Sequence, residues 1–542
     1  MKLDPTLRSR TPSPGPGIVA HSPPPRVQQH RRVGSRATPS IIENTAEARF
    51  LLRFAVPTRE LDALTAAIRA EASHVQRCQS TGFDTPQGRL AARGVFLSLC
   101  KRGREWIQVA VATTPDCARL LVHEADLGSR RASGAPAILP HLHDGTEAGA
   151  ALRAALGDSV ADEEDASPLL VSFAIDATRL TREVTPAGAV LEVALVTGVI
   201  TTDDAAVPLQ EFEVRLVSGP LASLFALARE WSTRHGLSLN TVSTGERGAM
   251  LAAGHPDGFP TTAVAPQAPF TADANFMGAT LDSCLAQILA NASVIDGGAQ
   301  DRHVIDQLRH GLQRLRTTIA ELSSMASDID DAWEPVLKRT FHELASHHGT
   351  TALRAPLIQE MRAAGLAYAL GSSHPRESRS PDAVVRDPEF QATLMAILAY
   401  RHALAPLLGP DQGGLKQLQR SLAIRLAKCQ AKVDEDADDL RSTSKRRRAS
   451  LHVELLHRLA AFAGPLYDAR QVARFLVRCR AAQDAFAADG EHRSGLEALE
   501  DAGETGSDVK LARRWLAARL DDDRKQCQAS LHRVAKAPAF WA

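Results

Sequence analysis

Apolar and polar positions change their period once along this chain, near residue 275. Between about 46 and 250, short runs at 50–56, 95–99, 106–112, 169–175, 190–196 and 211–217 alternate or are led by β-branched residues. A period of two places successive side chains on opposite faces of a strand. Helical spacing interrupts them at 59–71 and 221–235. After 275 the step becomes three or four: Ile305, Leu308, Leu312, Leu315, Ile319 and Leu322 form one buried stripe. Similar stripes cover 353–370, 390–408, 415–432, 449–463, 471–486 and 510–534, with breaks expected at 371–381, 409–414 and 487–490. The pattern predicts an α+β region followed by an all-helical one.

Four segments follow from this. Residues 1–40 are rich in Pro, Ser and Arg without periodicity, and such a composition predicts a disordered tail. Residues 46–250 form the mixed domain, in which the acidic stretch 158–165 reads as a loop. Residues 251–274, with Gly, Pro and Thr, read as the linker, and 275–541 form the helical domain.

Composition narrows the chemistry. At 542 residues the chain exceeds a single ordinary core, so two domains plus tails are expected. Its 63 basic and 63 acidic residues cancel, so no global field points to a membrane or to a specific nucleic acid. An anion site must come from local clustering. The cysteines at 78, 100, 117, 284, 429, 479 and 527 are scattered and never form a CxxC pair, which argues for a reducing compartment. No signal peptide or membrane span is legible, and a cytoplasmic location is expected. Two histidine groupings, His141-His143-Asp144 and His342-His347-His348, lack a complete ligand set for a metal.

Six matches in order give the first half a resemblance. They are Phe83-Asp84-Thr85-Pro86, then Leu90 with Gly94-Val95-Phe96-Leu97, then Trp106-Ile107-Gln108. Next come Leu191-Glu192-Val193-Ala194-Leu195, the stretch from Glu211 to Gly219, and Ser243-Thr244-Gly245-Glu246-Arg247-Gly248. Together they resemble the CYTH, or triphosphate tunnel, family. The resemblance implies an antiparallel barrel whose inward Lys and Arg hold a triphosphate. Inward carboxylates at alternate positions would hold Mg²⁺ or Mn²⁺, which polarises phosphoryl oxygens. The family's opening Glu-x-Glu-x-Lys, however, falls on Arg49, Leu51 and Arg53. Its strand arginines fall on Ser98 and Cys100, and its lysines on Val111 and Thr244. Glu192, Glu211, Glu213, Arg53, Arg179 and Arg247 still match, whereas the last acid of the late strand is Arg215. With Arg49 and Arg53 facing a wall that carries Glu211 and Glu213, an interior closed by ion pairs is expected.

In the second half, Gln307-Leu308-Arg309, Gly311-Leu312 and Arg314-Leu315-Arg316 resemble the opening helix of CHAD domains. Later matches run from Phe341 and Leu344 to the ending Ala539-Phe540-Trp541. The resemblance implies a helical bundle whose basic faces bind inorganic polyphosphate. The histidine at the head of this helix is Asp306 here, one helical turn from Arg302 and Arg309, and should pair with them. In the preferred register of the second signature helix the expected histidine is Arg447; in the other it is Asp438. Remaining candidates for polyphosphate are Arg302, Arg309, Arg314, Arg316, Lys445, Arg446, Arg447, Arg448, Arg474 and Arg478.

The expectation is therefore a degenerate relative of bacterial CYTH-CHAD inorganic triphosphatases. It would have no catalytic residue and no metal or other cofactor, and would bind or scaffold at inorganic polyphosphate or triphosphate, with polyphosphate granules as the implied place. One alternative is a live Mg²⁺- or Mn²⁺-dependent triphosphatase using Glu192, Glu211 and Glu213, with the metal on Glu211 and Glu213. The other is a protein–protein scaffold without a phosphate ligand.

Overall fold

The computed structural model describes residues 48–542 apart from 70–71, 130–134, 158–167, 187, 267–268, 271, 324–328, 348–356, 367–378, 409–413 and 502–505. The expected tail at 1–40, the acidic loop at 158–165 and most of the break at 371–381 lie outside the described residues, as do 353–356 and 367–370 of one expected helix.

The alternating half closes into a ring. Its strands are β1 (Ala48–Ala55), β2 (His74–Asp84), β3 (Val95–Arg102), β4 (Glu105–Thr113), β5 (Arg119–Asp126), β6 (Leu170–Val184), β7 (Val190–Thr201) and β8 (Ala206–Ser218). They pair antiparallel in the order β1, β5, β4, β3, β2, β6, β7, β8 and back to β1, an eight-stranded barrel. The two-residue β9 (Ser238–Leu239) adds to β1. Six strands lie where the alternation predicts them. β2 and β5 were not legible. β2, with the sequence HVQRCQSTGFD, carries polar groups on its inward face and stays half-exposed over most of its length, so it shows no apolar alternation.

Outward faces of the ring bury against helices. Leu52 and Phe54 of β1, Leu191 and Val193 of β7, and Phe212 and Val214 of β8 lie in one core with α1 (Leu61–Ile68) and α3 (Leu221–His235). Leu97, Ala110 and Ala112 lie beneath α2 (Glu147–Leu156). At the end of the barrel, α4 (Thr244–Ala252) starts on a capping box, Ser243 with Glu246. A Cβ on Gly245 would meet the Phe96 ring at 2.8 Å, and one on Gly248 would meet Phe173 at 2.4 Å, so only glycine lets this helix sit down on the barrel.

Helices α5 (Asp273–Asp296), α6 (Arg302–Leu322), α7 (Trp333–His347), α8 (Pro381–Val385) and α9 (Pro388–Leu408) follow. The chain ends with α10 (Gly414–Ala437), α11 (Thr443–Ala463), α12 (Ala469–Asp501) and α13 (Ser507–Ala535). Two expectations need correcting. The break at 487–490 is absent, because α12 runs through it. Buried Asp489 there pairs with Arg446 at 3.2 Å and with Arg493, holding this turn helical around Gly490. The stretch 251–274 does not separate two cores, since one apolar cluster continues from Phe54 and Phe212 through Phe276 and Leu312 to Trp541. The outward barrel face is apolar and must be covered, and the helical half covers it. Polar contacts fix the seam: Leu239 N donates to Gln391 Oε1 at 2.8 Å and Thr241 N to Ser293 Oγ at 3.1 Å. Among the described residues no helix is long and apolar enough to cross a membrane.

Candidate functional site

Alternation decides what faces the barrel interior. Arg49, Leu51 and Arg53 share one face of β1, and the opposite face carries Leu52 and Phe54 into the outer core. Glu211, Glu213 and Arg215 face inward from β8, with Glu192 from β7 and Arg179 from β6. The interior is laced with ion pairs, as expected, but the partners differ from those expected.

Arg179 lies between two acids. Its Nη2 donates to Glu192 Oε1 at 3.0 Å, and its Nη1 pairs with Glu213. Arg215 grips Glu192 with two bonds, at 3.2 and 3.1 Å. Around the ring, Arg49 reaches Glu124 at 3.1 Å rather than Glu211 or Glu213, and Arg102 takes the other oxygen of Glu124 at 2.9 Å. Arg53 donates only a 3.3 Å bond to the Thr241 carbonyl. Register explains the exchange. Arg49 stands opposite Leu120 on β5, near Glu124, while Glu213, opposite Arg53, is already held by Arg179.

Electrostatics separates these acids. Burial works against the Glu192 carboxylate, but the Arg215 and Arg179 guanidiniums outweigh it and hold it below the usual range. Burial likewise opposes Glu124, and Arg102 and Arg49 pull it down. Glu211 goes the other way: it is 1 % exposed, and burial pushes its carboxyl up despite Arg53. Its Oε2 accepts a 2.9 Å bond from Thr244 Oγ1, and its Oε1 has no hydrogen-bond partner among the described residues. A folded pKa raised above the unfolded value means stability is lost as pH climbs from the unfolded toward the folded value. Glu211→Gln is accordingly expected to stabilise the fold at pH 8, on the order of 1 kcal/mol for one unsatisfied buried oxygen, and to be near neutral at pH 4. Urea unfolding at both pH values measures it.

The donor set does not suit a divalent cation. Hard cations need free carboxylate oxygens, whereas Glu192 and Glu213 are engaged by guanidiniums and burial works against the charged form of Glu211. Among the described residues no group of three His, Cys, Asp or Glu side chains is placed to hold a metal. His143 is fully buried, its Nδ1 2.8 Å from His123 Nδ1 and its Nε2 3.0 Å from Gln108. Burial, then the neighbouring His123, lowers its pKa to about 4. His342 is described, whereas His348 and the side chain of His347 are not.

Where the resemblance places strand arginines, Ser98 and Cys100 stand beside Ser80, with Cys100 Sγ 3.4 Å from Ser80 Oγ. Arg247 turns away to the Pro208 carbonyl at 2.7 Å. One end of the interior is a cavity of about 210 Å³, walled by Val111, Val122, Ile175 and Phe96 and reached by Arg53 and Thr244.

On the helical half most cationic candidates are already paired. Asp306 lies 3.5 Å from Arg302 and 3.6 Å from Arg309, the pairing its spacing predicts. Arg309 also lies over the Phe341 ring at 4.7 Å, and burial lowers its pKa. Arg314 donates to Gln287 and Ser283 at 2.7 Å each, and Arg316 holds Glu334 at 2.6 Å. In the basic run, Lys445 pairs with Asp439, Arg446 with Asp489 and Arg448 with Asp436, while Arg447 and Arg474 are exposed and Arg478 is half-buried.

A groove of about 850 Å³ brings together groups that sequence reading did not assemble: His310 and Arg314 of α6, His457 and Arg458 of α11, and Arg480 of α12. Burial, then Arg480 and Arg458, pushes the His457 pKa down to about 4, and burial lowers His310 as well. The signal was present as His310 and Arg314 one turn apart, but their counterparts lie over 140 residues away.

No family model matches this sequence, and no curated protein matches it. Solved structures similar to it include the CHAD domain of the plant Ricinus communis, at 19% identity and TM-score 0.41, covering 52% of this chain and 98% of that one. A Hippeastrum protein, named for adenylyl cyclase and described as revealing a dominant triphosphatase activity, is 13% identical with TM-score 0.27, covering 39% of this chain and 96% of that one. A Bacillus halodurans protein named for adenylate cyclase is 10% identical with TM-score 0.22, covering 35% and 91%. Likenesses this distant fix neither an activity nor a ligand.

Proposed function

We propose that this chain is a catalytically degenerate CYTH-CHAD protein whose barrel does not hydrolyse triphosphate and whose helical half binds polyphosphate. The observation that carries the first part is Arg179, which bridges Glu192 and Glu213 and so engages two acids a metal would need. Tripolyphosphate with Mg²⁺ or Mn²⁺ is expected to release phosphate no faster than buffer. Turnover well above buffer that Glu211→Ala abolishes would instead establish a metal-dependent triphosphatase on Glu192, Glu211 and Glu213, with Arg53 and Arg179.

The second part is supported by the groove at His457, Arg458 and Arg480. Guanidinium–phosphate contacts weaken with salt. Replacing Arg458 and Arg480 together by alanine is expected to weaken long-chain polyphosphate binding at least about tenfold at low salt, the effect of losing charge-assisted bonds. Burial first, and the Arg480 and Arg458 charges after it, depress His457; a bound polyanion offsets the charges, so binding favours proton uptake. Affinity should therefore rise as pH falls from 7.5 to 5.5, and His457→Phe should flatten that rise. Titrations at two salt concentrations read both effects; no salt-sensitive binding at all would leave the reading of a scaffold without a phosphate ligand.

A further inference from the structure

The barrel cavity has the wrong walls for a phosphate chain and the right ones for something else. Arg53 and Asp84 are the charged residues on its surface, and Asp84 is engaged by the backbone N–H groups of Thr85, Leu90 and Ala91 at 2.6 to 3.0 Å. Arg53 has no carboxylate within ion-pair distance among the described residues, unlike Arg49, Arg102, Arg179 and Arg215. Val111, Val122, Leu120, Ile175 and the Phe96 and Phe173 rings make the remaining wall largely apolar. Hydrated triphosphate would lose its water there for one guanidinium and a few Ser and Thr hydroxyls, too few donors for its charge.

From the structure we infer that this cavity binds a small amphipathic monocarboxylate, its carboxylate on Arg53 and its hydrocarbon part against Val111, Val122 and Ile175. Charge, size and donors agree. Arg53, with no carboxylate at ion-pair distance among the described residues, balances one negative charge, and Asp84, the other charged side chain on the wall, would repel a second. A cavity of about 150 Å³ accepts benzene, so a volume of about 210 Å³ suits roughly eight to ten non-hydrogen atoms. Thr244, whose hydroxyl bonds Glu211, lines the cavity together with Ser80, Ser98 and Ser172, and these hydroxyls add polar contacts for a carboxylate head. Apolar walls with a few convergent polar groups are the ordinary composition of a small-molecule site.

The inference rests on the barrel not taking triphosphate, and the test separates the two. Hexanoate, octanoate and benzoate are titrated calorimetrically into the full chain at pH 7.5, with 1-hexanol as the neutral control. Saturable one-to-one binding of at least one acid is expected, at least about tenfold tighter than the alcohol and at least about tenfold weaker in Arg53→Met, the effect of losing a charge-assisted contact. Arg53→Lys should retain part of the affinity. Val111→Phe should fill the cavity and abolish binding, and Arg53→Met provides the same reading if that variant does not fold. Equal affinity for hexanol and hexanoate, unchanged binding in Arg53→Met, or no saturable binding of any acid would overturn the inference. If tripolyphosphate remains inert in that last case, only this inference falls; hydrolysis of tripolyphosphate that hexanoate does not inhibit overturns both.

Discussion

Arg179→Met is expected to destabilise the fold by about 3 kcal/mol, the scale of removing one partner from a largely buried ion pair. Arg179 and Glu213 keep only 25 and 13 % of their side-chain surface, so water cannot replace the lost guanidinium. Glu192 would retain Arg215, and Glu213 would lose its ion pair. The sign with pH follows. Glu192 is depressed in the folded state, so its contribution is present above the unfolded carboxylate range and is lost as pH falls through the folded value. The gap between wild type and variant should be widest near pH 7 and narrower at about pH 3, as the pH approaches the depressed folded value of Glu192. Adding Glu213→Gln should recover part of the loss by removing the unpaired charge. Urea denaturation at both pH values reads all three effects. A variant as stable as wild type at pH 7 would mean that the arginine does not hold these acids, and the case for a closed interior would fail with it.

The second large effect lies on the other face of the same strand. Phe212 is 0 % exposed and stacks on Trp231 at 4.9 Å with the rings 12° apart. Phe212→Ala is expected to cost about 3–5 kcal/mol, the transfer of the ring plus the cavity it leaves. The inward acids Glu211 and Glu213 flank it in sequence but point into the barrel, so carboxylate binding at Arg53 should persist below the lowered melting temperature. Thermal unfolding with hexanoate present or absent makes the comparison. Loss of binding at temperatures where the variant is still folded would contradict the separation of the two faces.

Particular residues show how far the sequence could be read. Asp84, in the Asp-Thr-Pro stretch, accepts from Thr85, Leu90 and Ala91 and ties down the turn after β2. Asp306 meets Arg302 and Arg309 because spacings of four and three on a helix leave little choice. Glu124 was missed. Nothing local marks it, and it matters only because β5 closes the ring beside β1 and sets it against Arg49, 75 residues away in sequence. Ala487, Ala488 and Gly490 suggested a break that packing against α13 and the buried Asp489 overrode.

By itself the sequence determined the period of each half, the face each side chain takes within its element, and the exchange of signature residues at 49, 51, 98, 100 and 111. Those properties depend on spacing and residue type alone. Only the tertiary structure decided which arginine meets which glutamate, that Arg53 has no acid at ion-pair distance among the described residues, and that His310 and His457 line one groove. It also decided that barrel and helices share one apolar core. Strand order around a closed ring and helix docking bring distant residues within a few ångströms, and charge pairing falls off too steeply with distance to be read from local pattern.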